Sequence, residues 1–301
     1  MGQGHRTRRD RPAGHPERER HPAHADGSPC TAHRLEVRVS TGAGTGRATA
    51  RTKVLVTGAG SGIGEGIAMV LAERGWQVAV NDIDGDAAAR VANRLGGVSV
   101  PGDVGADPAG IVNRAATLLG GLDALVNNAG IHRRAPLASV TPEQLDDVYR
   151  VNLRAVVLAS QAALAHFAVH GSGSIVNLSS IAAVTPQMDV GMYTAAKAGV
   201  SAFTQQASVE WGALGVRVNA VAPGMTRTAM AEAVYADPVL HERRRGMVPV
   251  GRIGTPRDIG TAVAFLLSTD ASYVSGQTLV VDGGFTQTLI GLLPHPGAAS
   301  S

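Results

Sequence analysis

One cysteine and two lysines are all that this chain of 301 residues contains of either type, although arginine is used freely. The single thiol, Cys30, excludes an internal disulfide. Apolar runs are short, and none approaches the roughly 18 uninterrupted residues of a membrane-spanning helix. The opening stretch, MGQGHRTRRDRPAGHPERERHPAH, lacks the apolar core of a secretion signal and mixes acids among its arginines, unlike a transit peptide. The histidines are scattered or confined to that opening, so no metal site is expected. These absences predict a cytoplasmic protein without a membrane segment.

Charge is unevenly placed. Residues 1–51 carry 10 Arg against 5 Asp and Glu, a balance of +5, and hold 5 of the 10 histidines. The rest, 17 basic against 19 acidic, is close to neutral at −2, so the formal net charge of +3 is no argument for nucleic acid. With no hydrophobic periodicity, residues 1–51 are expected to form a disordered basic arm, or to reflect a start codon assigned too far upstream.

From Lys53 the texture changes. KVLVT, QVAVN, VSVPG, LDALVNN, GSIVNLS, VRVNAVAP and QTLVVDGG are seven strand candidates, mostly continuous in polarity, which suits strands covered on both faces. The stretches between them are long enough for crossover helices. The predicted class is α/β: one Rossmann-like doubly wound parallel sheet of about seven strands with helices on both faces, over residues 52–286, with a tail at 287–301. Asp107, Thr141 and Thr255, each followed by proline, read as helix N-caps. Residues 141–170 read as one long helix buried along much of its length, and helical pattern after the first glycine-rich turn resumes at Ile67 and Ala68.

That turn, TGAGSGIGEG, places glycine at positions 58, 60, 62, 64 and 66. It fits neither G-x-G-x-x-G nor a P-loop, yet its amides and the following helix N-terminus suit a pyrophosphate. Alone it is equally a tight structural bend. The next strand ends VAVNDID and puts Asp82 eighteen residues after Gly64, where a carboxylate accepts from both adenosine ribose hydroxyls and repels a 2′-phosphate. No Arg or Lys occurs in the turn and Ile83 follows Asp82, so NAD is expected in preference to NADP.

Residues 191–211 read as a helix that sets Tyr193 and Lys197 on one face, a turn apart. A phenol of pKa near ~10 becomes a usable base if an ammonium stabilises its anion, and lysine, unlike arginine, can also pass on a proton. Ser180, closing a strand thirteen residues earlier, can polarise a carbonyl oxygen beside that tyrosine.

Thr57, Gly58, Gly62, Gly64, the NNAG of Asn127 to Gly130, Asn152, Ser180, Tyr193, Lys197, the PGMTRT of Pro223 to Thr228 and the DGG of Asp282 to Gly284 together resemble the short-chain dehydrogenase/reductase family. The resemblance implies a tetrad of Asn152, Ser180, Tyr193 and Lys197: a tyrosine acid/base, a serine holding the substrate oxygen, a lysine lowering the tyrosine pKa and binding ribose, and an asparagine keeping a relay water. It also implies cofactor contacts from Gly58, Ser61, Gly62, Ile63 and Gly64; from Asp82, Asp103 and Val104; from Asn128, Ala129 and Gly130; and from Pro223, Gly224, Thr226 and Thr228, besides Tyr193 and Lys197. Asn127 is expected to tie the central strands together.

A substrate lid is expected around 225–250, with Met230, Val234, Tyr235 and Met247 against the substrate. The opposite wall is expected from Ile131, His132, Ala182, Gln187 and Met188, with Ser180 and Tyr193. Arg133 with Arg134, and Arg243 to Arg245, are either anion anchors or solvated faces; His132 alone reads as a surface residue. The leading expectation is an NAD-dependent oxidoreductase of secondary alcohols or ketones, with a sugar, polyol or cyclic alcohol as substrate. The alternatives are an NADPH-dependent 3-oxoacyl thioester reductase and a catalytically silent dinucleotide sensor. A homotetramer or homodimer is expected by resemblance.

Overall fold

The seven apolar runs become seven strands: β1 (Lys53–Val56), β2 (Gln77–Asp82), β3 (Val98–Pro101), β4 (Ala124–Asn127), β5 (Gly173–Leu178), β6 (Val216–Pro223) and β7 (Thr278–Val281). A computed structural model describes residues 52–228 and 235–288. The expectations for the arm at 1–51, for Met230 and Val234, and for the tail beyond 288 lie outside the described residues.

All strands pair in parallel, in the order β3-β2-β1-β4-β5-β6-β7. Helices α1 (Gly62–Glu73), α2 (Gly85–Leu95), α3 (Pro108–Leu119), α4 (Pro142–Tyr149), α5 (Ala155–Ala168), α6 (Tyr193–Trp211), α7 (Pro238–Gly246) and α8 (Pro256–Leu267) connect them. Side chains alternate along β1: Val54 and Val56 pack with Ile67 and Leu71 of α1 and Ile259 and Val263 of α8. Leu55 faces the opposite layer, with Ile111 of α3 and Ala159 and Phe167 of α5. Two buried faces explain why these strands are apolar at consecutive positions, each buried branched side chain contributing about 1.5–3 kcal/mol.

Asp107, Thr141 and Thr255 all cap helices as expected, Thr141 with Gln144 and Thr255 with Asp258 forming reciprocal capping boxes. The long helix of 141–170 is observed as a continuous run, but with a π-helical turn at Arg150–Arg154 between α4 and α5. That run, Pro142–Ala168, is apolar and long enough to cross a membrane by length and composition; its inner face, however, is core.

One boundary differs from expectation. Helix α1 begins at Gly62, five residues before Ile67, so three of the turn's glycines lie within its first five residues. Glycine is a weak helix former, but a Cβ at Gly66 would lie 2.3 Å from Pro256 Cβ; the contact with α8 requires it.

Candidate active site

The strand order reverses between β1 and β4, and at the carboxyl ends of these strands lies a cleft of about 620 Å³. Its floor at one end is the turn between β1 and α1. Gly58 and Gly62 take positive φ there, 61° and 58°. Asp84, Asp107, Thr141, Asp237 and Thr255 accept backbone N–H bonds at the starts of their helices, whereas the Ser61 side chain at the start of α1 accepts none. The first amides of α1 are thereby left for an anion, and a pyrophosphate fits them.

The turn is held from two sides. Asp82, at the end of β2, accepts from Gly60 N at 2.8 Å and from Asp84 N at 3.1 Å. Asn128 donates from Nδ2 to the carbonyls of Thr57 and Gly58, both at 2.9 Å, while Thr57 Oγ1 accepts from Asn128 N and Ala129 N. Asn127 bonds Asn177 Oδ1 at 2.8 Å and Ser160 Oγ at 2.9 Å, tying β4 to β5 and α5 as expected.

Gly58, Ser61, Gly62, Ile63, Gly64, Asp82, Asp103 and Val104 all line the cleft. So do Asn128, Ala129, Gly130, Pro223, Gly224 and Thr228, together with Ser180, Tyr193 and Lys197. Thr226 does not: its buried hydroxyl donates to Gly224 O at 3.1 Å and its backbone bridges Gly254. Nor are Ala182 and Gln187, expected on the substrate wall, among its lining residues: Ala182 is buried with its N–H on Ser180 Oγ, and Gln187 is exposed with Met188 on the following loop. Tyr235 packs with Val248 and Ile253 in a small separate cluster, and Met247 is half-exposed.

Ser180, Tyr193 and Lys197 converge. Ser180 Oγ accepts from Ala182 N at 3.1 Å, which leaves its O–H free to donate toward the phenol oxygen of Tyr193. Burial pushes the Tyr193 phenol above its ordinary value, and the Ser180 hydrogen bond pulls it partly back. Lys197 is buried behind the tyrosine; its ammonium donates to Leu178 O at 2.7 Å and stands 5.8 Å from the Tyr193 ring centroid. Burial lowers its pKa to about 8.

Asn152 sits in the π turn, fully buried. Oδ1 accepts from Ile131 N and Nδ2 donates to Ile131 O, both at 2.8 Å. Both ends of the amide thereby fix the loop that carries Ile131. A Cβ on Gly130 would lie 3.4 Å from Asn152 Oδ1 and 3.6 Å from Lys197 Nζ, so this loop, the asparagine and the lysine meet at one point.

Ile131 and His132, both expected on the substrate wall, line the cleft, as does Arg150, which the sequence did not single out. The His132 ring packs on Tyr193, centroids 4.5 Å apart at 35°. Arg150 donates to Asp103 Oδ2 at 2.9 Å, from 47 residues away. Only the i, i+3 relation of Arg150 to Asp147 hinted at a partner, and the sequence does not place either beside Asp103.

A strand-turn-helix dinucleotide cradle, with serine, tyrosine and lysine converging at the other end of one cleft, defines a nicotinamide-nucleotide-linked oxidoreductase acting on CH–OH groups. A family model described as Enoyl-(Acyl carrier protein) reductase matches residues 58–286. The chain is 41% identical over 226 residues to the cis-4-hydroxycyclohexanecarboxylate dehydrogenase of Sinomonas cyclohexanicum, covering 73% of this chain and 90% of that relative. A gluconate 5-dehydrogenase from Burkholderia cenocepacia in complex with NADP and tartrate superposes with a TM-score of 0.74 at 33% identity, covering 78% of this chain and 95% of that one. A 3-ketoacyl-(acyl-carrier-protein) reductase from Brucella melitensis complexed with NADH gives 0.73 at 34%, covering 78% and 98%. The chain belongs to the short-chain dehydrogenase/reductase family.

Proposed function

We propose that the protein is an NAD-dependent dehydrogenase of secondary alcohols, with a sugar, polyol or cyclic alcohol as substrate, and that residues 52–286 carry the activity. The observation that carries this reading is the convergence of Ser180, Tyr193 and Lys197 beside the cofactor cradle. The nicotinamide, when bound, supplies the hydride acceptor in oxidation and the donor in reduction. Tyr193 takes the hydroxyl proton, Ser180 turns its O–H from the phenol to the substrate oxygen, and Lys197 supplies buried positive charge and a proton that can be passed on. Asn152 holds the loop against which these groups are aligned.

NAD is favoured because the Asp82 carboxylate at the end of β2 would repel a 2′-phosphate, and Arg150, the arginine at that end among the described lining residues, is paired with Asp103. Relatives with NADP and with NADH both occur, so side-by-side turnover with the two cofactors is the test. The panel is polyols, sugars, hydroxycyclohexanecarboxylates and ketoacyl thioesters. Productive NADPH use with the thioesters alone would favour the 3-oxoacyl reductase reading instead. In Asp82→Asn, which keeps an acceptor for Gly60 N, the ratio of kcat/KM for NAD over NADP is expected to fall roughly 10- to 100-fold, since a charged acceptor becomes neutral. An unchanged ratio would remove Asp82 as the discriminator.

The direction of the tyrosine shift gives a pH dependence. With the phenol above its ordinary value, the base form is scarce at neutral pH. Alcohol oxidation is expected to gain about tenfold in kcat/KM per pH unit between pH 6 and 8, below the loss of the Lys197 proton at about 8, and ketone reduction, which needs the phenol protonated, to show no such rise. Initial rates in both directions check this; an oxidation rate flat in pH argues against Tyr193 as the base. We further infer a cytoplasmic homotetramer or homodimer, which light scattering of the purified chain would test.

A further inference from the structure

The cleft is charged unevenly along its length. Its two lining acids, Asp82 and Asp103, stand at the adenosine end and are both engaged, Asp82 by backbone amides and Asp103 by Gly105 N and Arg150. The catalytic end is lined by Lys197, His132 and Arg133, with no acid among its described lining residues.

Lys197 is committed to Leu178 O, deep behind the tyrosine. Arg133 donates to Asp147 Oδ2 at 3.2 and 3.3 Å, but that pair is nearly half exposed, and Asp147 is shared with Arg150 at 3.8 Å. Such exposed pairs hold weakly and leave further N–H donors of the guanidinium free. Arg134 is exposed and without an ion pair among the described residues. Its charge, after burial, is the second influence that holds His132 below its ordinary pKa. The His132 Nδ1 is itself buried without a hydrogen-bond partner among the described residues. Positive charge thus gathers at the catalytic end: His132 and Arg133 line the cleft, and Arg134, the next residue along, acts through its charge on His132.

We propose that the substrate is a secondary alcohol bearing a carboxylate, anchored by Arg133 and Arg134, with His132, stacked on Tyr193, forming the wall between that anchor and the reacting hydroxyl. The planar guanidinium fork suits a carboxylate in particular. This rests on the dehydrogenase reading above.

The test uses alcohols matched except for charge: 3-hydroxybutyrate and a hydroxycyclohexanecarboxylate, each against its methyl ester, with NAD. The acids are expected to exceed their esters in kcat/KM roughly 10- to 100-fold, mostly through KM. In Arg133→Gln/Arg134→Gln that ratio is expected to fall close to one, whereas Arg243→Gln, on the exposed helix α7, keeps it. Arg134→Gln alone, which leaves the Arg133 pair with Asp147 in place, serves if the double variant does not fold. Esters turned over as well as acids, or arginine variants with the wild-type ratio, overturn the proposal and leave the dehydrogenase reading standing. If no alcohol at all were oxidised, that reading would be at fault. Calorimetric titration of the hydroxy acids into NADH-saturated protein would then decide the anchor, since binding by wild type and variant alike, or by neither, overturns it.

Discussion

Tyr193→Phe is expected to lower kcat at least a thousandfold while leaving NAD affinity and melting temperature close to wild type, because the change removes one oxygen and nothing that packs. General acid/base catalysis by a positioned side chain accounts for roughly 10²–10⁴ in rate, and no neighbour can replace the phenol. Lys197 is held on Leu178 O, the Ser180 hydroxyl is too weak an acid to be ionised near neutral pH, and the His132 ring lies against the tyrosine with Arg134 disfavouring its protonation. The phenylalanine ring keeps the stack on His132, and the cofactor cradle at the turn before α1 does not use the hydroxyl. Steady-state kinetics with calorimetric NAD titration separates the two effects. Retained turnover would sink the proposed mechanism; a wild-type chain that binds NAD yet oxidises nothing on the panel would point to the silent dinucleotide sensor.

What the sequence revealed and what it hid follow from how far apart the interacting residues lie. The strands were legible because two-sided burial makes each run apolar by itself, as at Val54, Leu55 and Val56. The caps at Asp107, Thr141 and Thr255 were legible because a cap bonds an amide two or three residues on. Tyr193 and Lys197 share a helix, so their proximity could be read from spacing. Asn152 could be reached only through family resemblance: its partner is the backbone of Ile131, 21 residues away, and its π-helical setting has no local signature in an apolar run.

What the sequence leaves open has the same origin. His132 reads both as substrate wall and as surface, because nothing in NNAGIHRR shows that the chain folds back onto Tyr193, 61 residues later. Ala182 and Gln187 both follow Ser180 closely in sequence but take different directions. The chain turns there: Ala182 goes inward to bond Ser180 Oγ, and the loop carrying Gln187 goes out to solvent. The Tyr193–Lys197 pair shows what spacing on a helix leaves out. A shared helix face brings the side chains near each other, but the ammonium is drawn to a strand carbonyl, and burial then governs both pKa shifts.

The glycines at the two ends of α1 should respond very differently to the same change. A Cβ on Gly64 would stand 2.1 Å from Gly58 O, 2.4 Å from Asn128 Nδ2 and 2.9 Å from Ala59 Cα. No rotamer relieves such contacts, because a Cβ has none and two of the three neighbours are backbone. The third is an amide already bonded to Thr57 O and Gly58 O. In Gly64→Ala the turn must open and those bonds between the ends of β1 and β4 must go. The expected cost is about 3 kcal/mol or more, a fall of roughly 6–12 °C in Tm for a domain of this size, with NAD affinity reduced at least about a hundredfold as the helix amides leave their places. Gly75, just beyond the other end of α1, has a φ of 86° but nothing within 4 Å of a Cβ. Gly75→Ala should therefore cost only the left-handed backbone, about 1–2 kcal/mol, and leave NAD binding untouched. Thermal melts with and without NAD distinguish the two: if Gly64→Ala retained the wild-type gain in Tm on adding NAD, the turn before α1 would not be the pyrophosphate site.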